Sequence, residues 1–227
     1  MTRDERWLAA TWPFVHEHLP SAPAMVVEIG CGSLSGFVPA LWREGYDAVG
    51  VDPHAPEGPG YRRVMFEDHQ PPRSVDAVIA CTSLHHVADL DQVADRVCAA
   101  LAPGGVFVVV EWAWERFDES TAQWCFARLA PTAESTDPGW LHRRRDEWGA
   151  TDQPWDAYWR DWANGAHLHP SRDILDTLEA RFDRVVSADG PFFFPELDGV
   201  TPQDEQAAID ATQIQATCVR YVGIVRP

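Results

Sequence analysis

Residues 26–36, Val26-Val27-Glu28-Ile29-Gly30-Cys31-Gly32-Ser33-Leu34-Ser35-Gly36, constrain this chain more than any other stretch. Their β-branched apolar start fits a strand buried on both faces of a parallel sheet. The run then stops at glycine. Gly30 and Gly32 permit a turn tight enough for the backbone to approach a ligand, and Gly36 lets the next helix pack down on the sheet. A strand, a glycine turn and a helix in that order make a nucleotide cradle.

The glycine spacing and the acids around it narrow the nucleotide. A dinucleotide fingerprint, G-x-G-x-x-G, aims a helix N-terminus at a pyrophosphate; here the third glycine falls one residue later and Glu28 precedes the first. A carboxylate at that point suits a cation. A second short strand, Ala48 to Val51, closes on Asp52. The spelling E-x-G-x-G-x-x-x-G followed by that acid resembles the first motif of class I S-adenosylmethionine methyltransferases. Two later stretches strengthen the likeness: Asp76 to Val87 reads D-A-V-x-A-x-x-S-L-H-H-V, and Leu101 to Gly105 reads L-x-P-G-G. The wording of the first of these resembles the type-11, ubiquinone/menaquinone-like subgroup.

The resemblance implies roles for particular residues. The turn at Gly30, Cys31 and Gly32 meets the methionyl part of S-adenosylmethionine, and Glu28 lies near its ammonium. Asp52, with Pro53 beside it, takes both ribose hydroxyls, as a carboxylate that accepts two protons is able to do. An acid after the third strand, Glu67 or Asp68, faces the adenine amino group, and Cys81 and Thr82 end the fourth strand against the cofactor. A solvated turn is the competing reading for Glu67 and Asp68.

With 227 residues the chain suffices for one methyltransferase domain spanning 1–227. A formal charge of −17 argues against a nucleic-acid surface, which needs basic patches that release counterions. Arginine supplies every non-histidine base; the absence of lysine excludes a Schiff-base mechanism. Five scattered cysteines with no C-x-x-C pair read as reduced thiols. With no signal-like or membrane-spanning apolar run, the expectation is a soluble, cytoplasmic monomer or homodimer that contacts no membrane.

In chain order, residues 1–20 suggest one or two amphipathic cap helices broken near Pro13. Residues 25–111 form the cofactor-binding half. Within it a helix spans Phe37 to Glu44, a third strand spans Arg62 to Phe66, a fourth covers Val75 to Ala80, a helix is capped by Asp89, and a fifth strand covers Val106 to Val110. That β-α-β and β-β-α-β order predicts an α/β fold, a doubly wound, mostly parallel, seven-stranded Rossmann-like sheet with helices on both faces. Residues 112–170 depart from the repeat and hold eight of the eleven tryptophans. Trp155, Tyr158, Trp159 and Trp162 fall on one face of a helix that Pro154 starts, so this region reads as an inserted lid. Residues 171–227 supply a helix from Arg172 to Phe182, a strand from Arg184 to Ser187, a helix from Gln203 to Gln215, and a closing strand from Thr217 to Val225. The resemblance makes that last strand antiparallel.

Methyl transfer from a sulfonium is an in-line displacement, so the protein chiefly holds the acceptor on the S–C axis and excludes water. For a hydroxyl or ammonium acceptor a base helps. His85 and His86, leaving the fourth strand, and Glu111, ending the fifth, are the candidates, with packing or loop capping as the competing role. Trp112, Trp155, Tyr158, Trp159 and His167 are the candidate substrate contacts, and sealing the lid is the bland alternative for each tryptophan. His167 and His169 set no consistent ligand geometry with His85 and His86, so no metal is expected. The reading is an S-adenosylmethionine-dependent transfer of methyl to an O or N atom of a small organic molecule. A catalytically inactive binding or regulatory protein on the same fold is the alternative, and a nicotinamide oxidoreductase is disfavoured by the glycine spacing.

Overall fold

The computed structural model describes residues 1–71, 74–130 and 139–226. Its centre is a sheet of seven strands in the order β3-β2-β1-β4-β5-β7-β6: β1 is Met25–Ile29, β2 Asp47–Val51, β3 Tyr61–Arg62, β4 Val75–Cys81, β5 Leu101–Trp112, β6 Phe182–Gly190 and β7 Cys218–Val225. Strands β1 to β5 pair in parallel, and β7 runs antiparallel to both β5 and β6. The chain leaves β1 toward one edge, then returns to place β4 on its other side. Ligands bind at such a reversal, beyond the carboxyl ends of the strands.

Alternation along the strands divides the core into two layers. Val27, Ile29, Val78, Ala80, Phe107 and Val109 face α3 (Leu90–Ala100) and α7 (Ser171–Glu179). Val26, Ala77, Ile79, Val108 and Val110 face α1 (Arg3–Glu17) and α2 (Val38–Arg43). Every residue of β1 is buried, as the unbroken apolar run predicts for a central parallel strand. Asp89 caps α3 by accepting from the Gln92 amide. A third cluster lies beyond the carboxyl edge, where α4 (Glu119–Phe126), α5 (Trp140–Gly149) and α6 (Trp155–Gly165) form the lid.

Several boundaries differ from the sequence expectations, among them the fifth strand, which runs Leu101–Trp112 rather than Val106 to Val110. The cap is one helix running through Pro13 rather than a broken pair. Its capping box at Thr2 and Glu5, with burial of Val15 against the core, offsets the ~3 kcal/mol that an interior proline costs. The third strand is only Tyr61–Arg62, since the following residues are exposed and Phe66 begins a 3-10 turn. Helix α7 stops at Glu179, and Phe182, 1 % exposed, opens β6 instead. Helix α8, Pro202–Asp210, ends earlier than Gln215 because Thr212 adopts a left-handed φ of 54°.

Candidate active site

The glycine turn after β1 is shaped by contacts that exclude side chains. Gly30 has φ 77°, and a Cβ there would lie 2.3 Å from the Ser83 Cβ; at Gly36, φ 53°, it would lie 2.2 Å from Oε1 of Glu28. Glu28 is 2 % exposed and both its oxygens accept from the Phe37 amide, at 3.0 and 2.8 Å, tying the turn to the start of α2. Burial pushes the Glu28 carboxyl up to about 8 despite those backbone donors. Asp52, one residue past β2, accepts from Gly32 N at 3.1 Å and from His54 N at 2.6 Å. Both carboxylates therefore border the same turn.

A second carboxylate system closes the neighbouring strand end. Glu111 on β5 is fully buried, and its Oε1 accepts from the amides of Ser83 and Leu84 at 2.7 and 2.6 Å. Its Oε2 stands 2.6 Å from Nδ1 of His85. A carboxylate only accepts, so Nδ1 carries the hydrogen and Nε2 keeps its lone pair. Trp112 meets the His85 ring edge-on at 5.8 Å, and the backbone of His169 donates to the His85 carbonyl at 3.0 Å, so both the imidazole and its main chain are held. Thr82, just before this loop, takes φ 51°, a left-handed strain unusual for a β-branched residue and concentrated at functional sites. His86 packs its ring 4.1 Å from that of His85; partial desolvation, then its neighbour's ring, lowers its pKa.

Between these two strand ends opens a cleft of about 480 Å³, walled by the glycine turn, His85 and His86, and on its outer side by α1 and the segment 192–196. Arg6 fastens those two outer walls together by donating to four carbonyls, those of Phe194, Pro195, Leu197 and Val200, at 2.6 to 3.3 Å. Glu205 on α8, 1 % exposed, accepts from the amides of Phe192, Phe193 and Phe194. Sequence reasoning missed Arg3, Asp4, Trp7, Arg6 and Glu205. The available signal was a charged residue on the inward face of each of two short amphipathic helices.

Of the residues singled out from sequence, Glu28, Gly30, Cys31, Gly32, Cys81, Thr82, His85 and His86 all line this cleft. Glu111 stands directly behind His85, and Asp52 borders the turn. Pro53 is exposed beyond β2; Glu67 and Asp68 lie on the 3-10 turn, away from the cleft walls, with the Glu67 carbonyl accepting from Arg96. The lid aromatics Trp112, Trp155, Tyr158 and Trp159 are not among the residues that wall the cleft. Trp155 donates to the Phe117 carbonyl at 2.7 Å, Trp159 to that of Trp114 at 2.8 Å, and Tyr158 to Glu147 at 3.1 Å. The polar edges are satisfied inside the lid, so the stripe faces its interior. Trp112 also sits in that cluster, stacked at 5.6 Å on Phe192, which does reach the cleft. His167 is exposed at φ 54°, outside the cleft. Among the described residues no three His, Cys, Asp or Glu side chains gather as a metal site.

An open, mostly parallel sheet with an acid-flanked glycine turn at its reversal point defines a nucleotide-cofactor-binding fold of the doubly wound class. The chain belongs to the methyltransferase domain family whose sequence profile matches residues 3–184, and is a methyltransferase domain of the S-adenosylmethionine-dependent class. It is 30 % identical over 136 residues to a ubiquinone biosynthesis O-methyltransferase of Bradyrhizobium sp. (strain ORS 278), covering 54 % of this chain and 50 % of that one. The chain thus spans about half the length of that curated relative. An S-adenosylmethionine-dependent methyltransferase of Mesorhizobium loti superposes with a TM-score of 0.55 at 17 % identity, over 95 % of this chain and 97 % of the other. The geranyl diphosphate C-methyltransferase of Streptomyces coelicolor A3(2), solved with Mg2+, geranyl diphosphate and S-adenosyl-L-homocysteine, gives 0.57 at 17 %, over 98 % and 80 %. These structural likenesses establish the fold. Among the described residues no helix is long and apolar enough to cross a membrane.

Proposed function

We propose that this domain transfers the methyl group of S-adenosylmethionine to an O or N atom of a small organic molecule, with His85 as general base and Glu111 as its orienting partner. One observation carries the reading: the Glu111–His85 pair, 2.6 Å apart, opens onto the cleft that holds the glycine turn. The residues fit the cofactor. At Gly32, φ 61°, a Cβ would meet no protein atom within 4 Å, so the turn lies open to a ligand there, and the buried Glu28 suits the ammonium of an amino-acid moiety. Asp52 suits ribose hydroxyls, with Pro53, Glu67 and Asp68 on the adenine side. When bound, the sulfonium supplies an electrophilic methyl.

The chain's own part is to hold, deprotonate and dry. His85 Nε2 takes the proton of the acceptor's hydroxyl or ammonium as the heteroatom attacks. Glu111 keeps the Nδ1 hydrogen in place and stabilises the imidazolium that forms, at close range and away from water. Helix α1 and the 192–196 segment exclude solvent above the reacting atoms. The test is transfer of labelled methyl onto a panel of phenols and amines, comparing the parent with His85→Gln. Product from the parent and its loss in the variant support the reading. No product from any acceptor, while S-adenosylhomocysteine binds, supports the inactive binding protein instead.

A further inference from the structure

The charges around the cleft bear on which acceptor it admits, a step that rests on the reading above. One guanidinium, Arg3, and three carboxyl groups, those of Asp4, Glu28 and Glu196, line it beside His85 and His86. Arg3 is already neutralised by Glu196 at 2.6 Å, an ion pair that joins α1 to the segment across the mouth. Glu28 is turned inward onto the Phe37 amide beneath the glycine turn. Asp4, exposed in the first turn of α1, forms no hydrogen bond or ion pair among the described residues. Among the described residues the cleft therefore offers an acceptor one unpaired carboxylate and no unpaired guanidinium.

The rest of the outer wall is flat and apolar. Trp7 and Leu8 come from α1, Phe192 and Pro195 from the facing segment, and Phe192 is backed by parallel stacking on Trp112. Two aromatic side chains on one cleft wall, Trp7 and Phe192, favour a planar guest, and aromatic faces attract positive charge. A carboxylate or phosphate entering the same slot meets Asp4, finds no unpaired guanidinium there among the described residues, and approaches a chain of net charge −17.

We propose that the methyl acceptor is a planar aromatic alcohol or amine that bears a positive charge and no negative one, and that Asp4 is the residue that reads this charge. The ring lies against Trp7 and Phe192 with its nucleophilic hydroxyl or amine toward His85, and a protonated amino arm extends to Asp4 at the mouth. Proton transfer to His85 and bond formation to the methyl are unchanged from the step above; Asp4 selects and positions.

The experiment measures kcat/KM of the full chain with three matched phenols: tyramine, 4-ethylphenol and 3-(4-hydroxyphenyl)propionate. The expected order is cation, then neutral, then anion, with cation and anion separated by roughly tenfold or more. Asp4→Asn brings the cation to the level of the neutral phenol, and Asp4→Glu restores the gap. Glu196→Gln, which frees Arg3, raises the rate with the anion. A preference for the anion, or an unmoved cation-to-neutral ratio in Asp4→Asn, overturns the proposal. A blank with all three phenols while other acceptors are methylated rejects the aromatic class. Absence of labelled product with every acceptor is the separate failure of the function proposed above.

Discussion

The glycine-turn edge and the tryptophan lid sit side by side at the carboxyl end of one sheet, yet they use their distinctive residues in opposite ways. At the edge, Gly30, Gly36, Glu28 and Glu111 are strange choices for a core and are explained by what they keep open or hold in place. In the lid, Trp155, Trp159 and Trp112 are spent on one another: Trp155 and Trp159 stack 5.3 Å apart, and Trp112 meets Trp159 at 5.6 Å. Here the residues that offend local packing rules gather at the cleft, whereas the conspicuous cluster of large apolar side chains packs on itself. Four experiments break or sharpen that contrast.

The largest effect is expected at the edge. His85→Ala should lower kcat by roughly 10²–10⁴-fold, the range for losing a positioned base, with S-adenosylhomocysteine affinity unchanged by calorimetry. A parallel loss of cofactor affinity would show the imidazole to be structural. In the lid, Trp155→Ala should cost about 3–5 kcal/mol of stability in chemical unfolding, because a fully buried indole leaves a cavity. The surviving folded fraction should keep its KM for acceptor. A raised KM with normal stability would reinstate the lid stripe as a substrate surface.

Smaller effects test the cofactor assignments. Asp52→Ala should weaken S-adenosylhomocysteine by about 1.5–3 kcal/mol, the loss of a charge-assisted hydrogen-bonding partner, while the far-ultraviolet dichroism stays that of the parent. Unchanged affinity would remove Asp52 from the site. Glu28, raised by burial from 4.5 to about 8, is protonated at neutral pH in the free protein, and an ammonium ligand favours its ionised form. Affinity for S-adenosylhomocysteine should therefore rise with pH and level off above about 8. Because the folded state holds this proton more tightly than the unfolded one, the Glu28 contribution to stability is full below 4.5 and is lost as pH rises toward 8. Glu28→Gln should flatten both dependences.

The same contrast explains what was readable in the sequence. Strand, turn and helix order through residue 111 was legible because a buried parallel strand must be apolar throughout and a ligand-approaching turn must be glycine; both demands are local. Glu28, Gly30, Gly32, Thr82 and His85 follow from position at strand ends, which topology brings together. The Trp155 to Trp162 stripe was correctly placed on a helix, but periodicity gives a face and not what it meets. The Phe117 and Trp114 carbonyls that satisfy its indoles come from segments 38 and 45 residues away in sequence. How the outer wall is fastened stayed hidden for the same reason. Arg6 and Glu205 act on the backbone of residues 192–200, and nothing in the residues near either one announces that contact.

The most direct test is a crystal structure of the S-adenosylhomocysteine complex, read for the position of the thioether sulfur. It should lie in the cleft over the Gly30–Gly32 turn, with the ribose on Asp52 and the free nitrogen of His85 facing the space where the methyl would stand. A nucleoside seated elsewhere, or a sulfur from which His85 is screened by other side chains, would contradict the pairing of cradle and base.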